Sequence, residues 1–479
     1  MYSEGAGPET SEGGGLRGPK GRDMDRRDAC DSMGPEIARR FKHWQMRTIL
    51  ATMVGYTLFY FLRKNFSLAM PGMEVELGIT KTSLGVFLTL HGLVYGLSKF
   101  LNGFLSDRFN SRAYLATGLA LCLLVNVAFG FGPVFAELFT GVASGPAFMS
   151  ALVVLFGVLW VLNGLFQGSG FPPCARLITH WVPPNELATK MSVWNTSHSI
   201  GAGLIVILCG YIMAHGGAGA WRFCFWVPAL IAGAGLVVLI LTLPDTPSSV
   251  GLPEIPGTEV KRAHAHAAVD QRFLRERIFC NPLIWTLGLA NFTINLVRFA
   301  VLDWGPTMLK ESKGVSLDHA GWMVAAFEIS GVVGMLAAGW VTDRFMKGRA
   351  PRTCVFCMAG AALCMFLFWS LPKSAPAWLL FATLLSAGFF IYGPQALTGV
   401  TAANISTKKL AGTSIGFISL FSYASVIVSG VGMGTLAQHF GWHYAYVVMI
   451  GVAAAGVAVF LTLWNAKASA YEELEPTQG

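Results

Sequence analysis

The sequence predicts an all-α membrane protein: twelve transmembrane helices in two pseudo-symmetric six-helix halves. Three observations predict it. Of the 479 residues, 54% are hydrophobic and 13% charged, against about 25% charged in an ordinary soluble domain. Mean hydropathy is +0.55, which excludes a water-soluble globule and a disordered chain. Twelve stretches reach the roughly 20 mostly apolar residues that a bilayer-spanning helix needs, and short signatures of the first half recur in the second.

The spans lie near 48–74, 83–105, 113–132, 147–171, 190–212, 221–243, 282–306, 319–341, 353–371, 376–398, 411–435 and 441–464. Gly and Pro inside them are tolerated, because neighbouring helices satisfy the backbone groups they free. Residues 1–45 are polar and Gly-rich and are expected to be disordered. The long apolar run after them does not read as a cleavable signal peptide. Residues 46–243 form the first half, 244–281 a polar central linker, 282–464 the second half and 465–479 a polar tail.

Lys and Arg in the loops set the orientation. With the N terminus in the cytoplasm, 25 of the 34 fall on the cytoplasmic side and 5 opposite. The remaining four, Arg63, Lys64, Lys99 and Arg298, lie within spans. Both termini are therefore expected in the cytoplasm, in the cell (inner) membrane. The repeat is explicit. Gly-Phe-Leu-Ser-Asp-Arg ends at Arg108 and Gly-Trp-Val-Thr-Asp-Arg at Arg344, an offset of 236. Tyr56, Tyr60 and Arg63 on the first span match Asn291, Asn295 and Arg298 on the seventh at an offset of 235. Duplicated halves of this kind place a substrate site between them near the midplane.

The intramembrane cations carry the chemistry. A charged side chain at mid-bilayer costs roughly 2.5–3.5 kcal/mol on insertion scales and marks a function. Spacings of i, i+4 and i+7 put Tyr56, Tyr60 and Arg63 on one helix face, and likewise Asn291, Asn295 and Arg298. Two facing guanidinium groups repel unless an anion lies between them, and their forks suit phosphate or carboxylate. The alternative is that each pairs with a buried carboxylate such as Glu328 or Asp303. Lys99 either faces the cavity or snorkels to the inner surface. His198, with Asn195 one turn before it, lies on a polar path or is satisfied by neighbouring backbone. Lys64 points about 100° away from Arg63, towards a salt bridge or the cavity rim. Asp107, Arg108, Asp343 and Arg344 end their helices as candidate conformational latches.

At this point the residues resemble a known family. The Asp-Arg loops after spans two and eight look like the major facilitator superfamily. Phe61-Leu-Arg-Lys-Asn-Phe-Ser-Leu-Ala-Met-Pro71, Tyr95-Gly-Leu-Ser-Lys-Phe100 and Gln167-Gly-Ser-Gly-Phe-Pro-Pro-Cys174 are similar to organophosphate:phosphate antiporter signatures. So are Trp194-Asn-Thr-Ser-His198, Asp245-Thr-Pro-Ser-Ser-Val-Gly-Leu-Pro253, Arg298-Phe-Ala-Val-Leu-Asp-Trp304 and Tyr392-Gly-Pro394. The resemblance implies secondary active exchange of an organic phosphate (sugar phosphate, glycerol-3-phosphate or phosphoglycerate) for inorganic phosphate by alternating access. It implies a substrate site of Arg63, Arg298, Lys99 and His198 with cavity tyrosines at Tyr56, Tyr60, Tyr95, Tyr392 and Tyr423. The glycerol-3-phosphate members carry tyrosine where this chain has Asn295, so the organic moiety stays open. The same family includes a hexose-phosphate membrane sensor that signals to a histidine kinase, which is the alternative reading.

Other classes fit poorly. The basic residues are dispersed rather than gathered in one stripe, so no nucleic-acid partner is expected. The nine cysteines show neither CxxC pairs nor metal-ligand spacing. An enzyme of phosphate esters would need a metal cluster or a nucleophile with its base, and neither is read, nor any cofactor. A monomer in the bilayer, with organic and inorganic phosphate as ligands, is expected.

Overall fold

The computed structural model describes residues 35–106, 108–253, 275–405 and 411–466. They are almost entirely helical, and no strand occurs among them. The first half contains α1 (Pro35–Leu77), α2 (Lys81–Ser106), α3 (Ser111–Gly130), α4 (Pro146–Gln167), α5 (Pro184–His215) and α6 (Ala220–Thr242). The second contains α7 (Pro282–Lys313), α8 (Leu317–Phe345), α9 (Ala350–Ser370), α10 (Ala377–Ile405), α11 (Ala411–Ile427) and α12 (Trp442–Thr462). After Ile427, α11 continues through a π-helical turn, Val428–Gly432, into Met433–His439. Short helices Gly132–Thr140 and Phe171–Trp181 cover loops of the first half.

From α3 onward, ten helices among the described residues are long and apolar enough to cross a membrane. α1 and α2 have the length, 43 and 26 residues, but carry the cavity cations. Large apolar side chains such as Leu124, Leu230, Leu336 and Trp378 stand exposed on the outside of the bundle, where lipid replaces water.

α1 is helical from Pro35, within the segment expected to be disordered. Tertiary contact explains the difference. Phe41 is buried, with its ring 5.8 Å from Trp181, and Gln45 donates to the Trp181 carbonyl at 2.7 Å. Local caps fix other ends. Asn110 accepts from the Ala113 amide at the start of α3. Asp245, of the Asp-Thr-Pro motif, accepts from the Ser111 amide at 3.0 Å, so that motif's carboxylate is anchored structurally. Pro71 in α1 and Pro306 in α7 lie inside equivalent helices, an offset of 235 again.

The halves meet through α1 with α7, α2 with α11, and α5 with α8. Their tightest contacts lie at the face remote from the chain termini. There a Cβ on Gly85 of α2 would sit 2.7 Å from the Gly430 carbonyl oxygen, and one on Gly210 of α5 would sit 2.7 Å from that of Leu317. Only glycine permits such backbone approach. The π turn exposes backbone groups that a regular helix would pair, and Thr89 of α2 satisfies two of them. Its hydroxyl donates to the Val426 carbonyl at 3.1 Å and accepts from the Val431 amide at 2.9 Å.

An ion triad reinforces this remote face. Lys81 of the first half lies 2.5 Å from Glu74 of its own half and 3.2 Å from Glu311 of the other. Glu311 also accepts from Trp442 Nε1 at 2.7 Å, and Gln438 accepts from the Lys81 amide at 2.9 Å. Lys81→Met is predicted to shift the population about fivefold toward conformations open at this face, as for a loss of about 1 kcal/mol. Spin-label distances between Gly141 and Lys373, in loops of opposite halves, check this. An unaltered distance distribution would show that the triad takes no part in closure.

Candidate substrate cavity between the halves

The facing surfaces of α1, α2, α5, α7, α10 and α11 enclose a cavity of about 280 Å³. Arg63, Lys99, Arg298, His198, Tyr56, Tyr60, Tyr95, Asn295 and Tyr423 all line it. Tyr392 does not line it. It lies fully buried beneath Arg298, whose guanidinium carbon is 4.6 Å from the ring centroid. The expected latch residues lie elsewhere. Arg108, Asp343 and Arg344 are exposed and form no ion pair among the described residues, and Asp107 lies outside the described residues.

The two arginines are not equivalent. Arg63 stacks on Tyr60 and Tyr95, with its guanidinium carbon 4.0 and 4.7 Å from their centroids. It makes no ion pair among the described residues, and its Nε is buried without a partner. Arg298 Nη2 reaches Glu328 Oε1 at 3.4 Å, a long contact for a charge-assisted bond. The expectation of two unneutralised guanidinium groups therefore holds for Arg63 and is corrected for Arg298. Glu328 is 1% exposed, and a carboxylate buried so deeply needs a cation.

Lys64 settles into a bridge across the halves, 2.6 Å from Asp303 Oδ1. Asp303 follows Arg298 by five residues, about 140° around the helix, so it faces Lys64 rather than the arginine of its own helix. Lys99 turns inward, with Nζ 4.5 Å from the centroid of Phe171. His198 combines both readings. It lines the cavity, its Nδ1 contacts the Asn195 carbonyl, and its Nε2 lies 3.2 Å from the Ser199 hydroxyl. A carbonyl only accepts, so Nδ1 carries the proton.

Asn295 is held by its own helix. Its amide nitrogen donates to the Asn291 carbonyl at 2.8 Å and to the Asn291 side-chain oxygen at 2.9 Å. The Asn291 amide in turn donates to the Ile418 carbonyl of α11 at 2.9 Å.

Four cations (Arg63, Lys64, Lys99 and Arg298) thus meet two carboxylates, Asp303 and Glu328. The excess of two sits on α1 and α2, in the first half. Such a site suits a dianion whose oxygens accept from a guanidinium fork and an ammonium. The sequence reading did not single out Gln395, which also lines the cavity. Nothing local marks that glutamine, whereas Glu328 stood out as a lone carboxylate within an apolar span.

Comparison with known proteins places this cavity in context. The sequence matches the Major Facilitator Superfamily over residues 52–429 and again over 306–478. It is 38% identical to a probable hexose phosphate transport protein of Chlamydia pneumoniae, over 90% of this chain and 93% of that protein. It is 34% identical to the glycerol-3-phosphate transporter of Bacillus subtilis, over 89% of this chain and 93% of that protein. It is also 34% identical, with the same coverage, to the membrane sensor protein UhpC of Salmonella typhimurium. In fold it resembles the inward-open xylose transporter XylE from E. coli, with a TM-score of 0.69 at 16% identity, over 90% of this chain and all of that one. The chain is a multi-pass membrane protein that belongs to the Major Facilitator Superfamily, within its organophosphate:phosphate antiporter family.

Proposed function

We propose that the protein exchanges an organic phosphate for inorganic phosphate by alternating access around the cavity between its halves. The observation that carries this reading is the excess of two cations there, with Arg63 left without a carboxylate among the described residues. A phosphate dianion matches that excess. Arg63 offers it a bidentate fork and Lys99 a point charge. Arg298 joins from the opposite half as the ligand competes with Glu328 for it, so the ligand bridges the halves. Without an anion the excess charge resists closure of the cavity, so the empty carrier returns slowly and transport becomes obligatory exchange. With both termini in the cytoplasm, the sealed remote face is extracytoplasmic and loading occurs from the cytoplasm.

Proteoliposomes test this. Vesicles loaded with inorganic phosphate are predicted to take up labelled glucose 6-phosphate or glycerol 3-phosphate at least about tenfold faster than phosphate-free vesicles. Uptake indifferent to internal phosphate would argue for uniport or for symport with another ion. The similarity to a membrane sensor supports a second reading, in which the same site reports occupancy to a histidine kinase. Saturable binding without exchange in either direction would favour that reading.

A further inference from the structure

We propose that Gln395 and Asn295 form a hydroxyl-reading wall. They would orient the ligand with its phosphate toward Arg63 and Lys99 and select a polyhydroxylated, uncharged organic moiety. The inference rests on the exchange reading above and deepens it.

The two sides of the cavity differ in chemistry. The first-half side carries the excess cations. The second-half side is rich in acceptors. The direction of the Asn295 amide is forced: its nitrogen must face the Asn291 carbonyl, because two facing oxygens would repel. The same argument fixes Asn291, whose nitrogen faces the Ile418 carbonyl. This chain leaves the side-chain oxygen of Asn295 as its free polar end in a cavity-lining residue. Gln395 lines the same cavity, and its Oε1 is buried without a hydrogen-bond partner. A buried acceptor left unpaired carries a desolvation penalty that a donor relieves. Ligand hydroxyls donate, and phosphate oxygens at neutral pH largely do not.

The carboxylates sharpen the choice. Asp303 lines the cavity and Glu328 lies beside Arg298. A second anionic group on the ligand would meet these carboxylates and the amide oxygens. The wall therefore favours the tail of a sugar-type phosphate and disfavours carboxylated esters such as phosphoglycerates. A site built to bond a hydroxyl rejects the analogue lacking it far more strongly than an apolar pocket rejects an added methylene.

The test uses the full-length protein in proteoliposomes. Asn295→Leu and Gln395→Met remove the acceptors while keeping side chains of similar length and, for Asn295→Leu, the same branching. Each is expected to lower glucose 6-phosphate uptake about tenfold more than it lowers phosphate–phosphate self-exchange. Each should also reduce discrimination between glucose 6-phosphate and n-butyl phosphate by about tenfold. In the wild type, 3-phosphoglycerate should compete at least about tenfold more weakly than glucose 6-phosphate. Equal losses for the sugar phosphate and for phosphate, unchanged discrimination against the alkyl ester, or equal competition by 3-phosphoglycerate would each overturn the proposal. Residual self-exchange shows that a variant is folded. A wild type that lacks phosphate self-exchange removes the exchange reading itself, and this inference with it.

Discussion

Arg63→Lys is expected to lower the proposed exchange by at least about 100-fold while the protein still inserts and folds. The substitution keeps the charge and removes the fork. Charge-assisted hydrogen bonds contribute roughly 1.5–3 kcal/mol each, and loss of two is on the order of a hundredfold or more in rate or affinity. Arg63 is also where compensation is weakest. Its guanidinium rests on the faces of Tyr60 and Tyr95 and has no carboxylate among the described residues. Arg298→Lys is expected to fall by a similar order, because an ammonium drawn to Glu328 would no longer reach across to the ligand. Phosphate-driven uptake, normalised to the amount of reconstituted protein, measures both. Either variant retaining a tenth of wild-type exchange would remove the bidentate phosphate grip from the mechanism.

The second large effect is expected at the bridge between Lys64 and Asp303, 2.6 Å long and largely withdrawn from solvent. Breaking a buried pair from one side typically costs about 3–5 kcal/mol, because the other charge is stranded. The two single variants are expected to differ. Lys64→Met would free a carboxylate inside the proposed phosphate site, where it would compete for the arginines. Asp303→Asn frees only a further cation. Lys64→Met should therefore lose about 100-fold in exchange and Asp303→Asn about tenfold. The double variant should recover to within about tenfold of wild type, a coupling of at least about 2.7 kcal/mol in a double-mutant cycle. Thermal unfolding midpoints should follow the same order. Additive losses would show that the two residues act independently of their contact.

Much of this was legible in the chain. The spans, the duplication and the equivalent depth of Arg63 and Arg298 follow from apolar runs, offsets and helix periodicity, which are local properties. Tyr56, Tyr60 and Asn295 share helix faces with those arginines and line the cavity as the spacing requires, whereas Tyr392, on α10, does not. The pairings were not legible. Lys64 and Asp303 are 239 residues apart, and only the crossing of α1 and α7 brings them together. Asp303 looked close to Arg298 in sequence and proves to lie on another face of the same helix. The same limit explains Pro35. Residues 35–45 look polar and unstructured by composition, yet Phe41 and Gln45 find a partner in Trp181, well over a hundred positions downstream. Charge balance at the site is a tertiary quantity for the same reason: Glu328 is visible, but its choice of cation is not.

The Thr89 hydroxyl bridging the wider coil of α11 has a mechanical implication. If the lobes part on that side, the hydroxyl withdraws, and the Val426 carbonyl and the Val431 amide must find replacement partners. One replacement is for that segment to tighten into an ordinary α-turn, which would rotate everything beyond it. Opening there would then be a rewinding event as well as a rigid tilt, with Gly430 and Gly432 as its swivel.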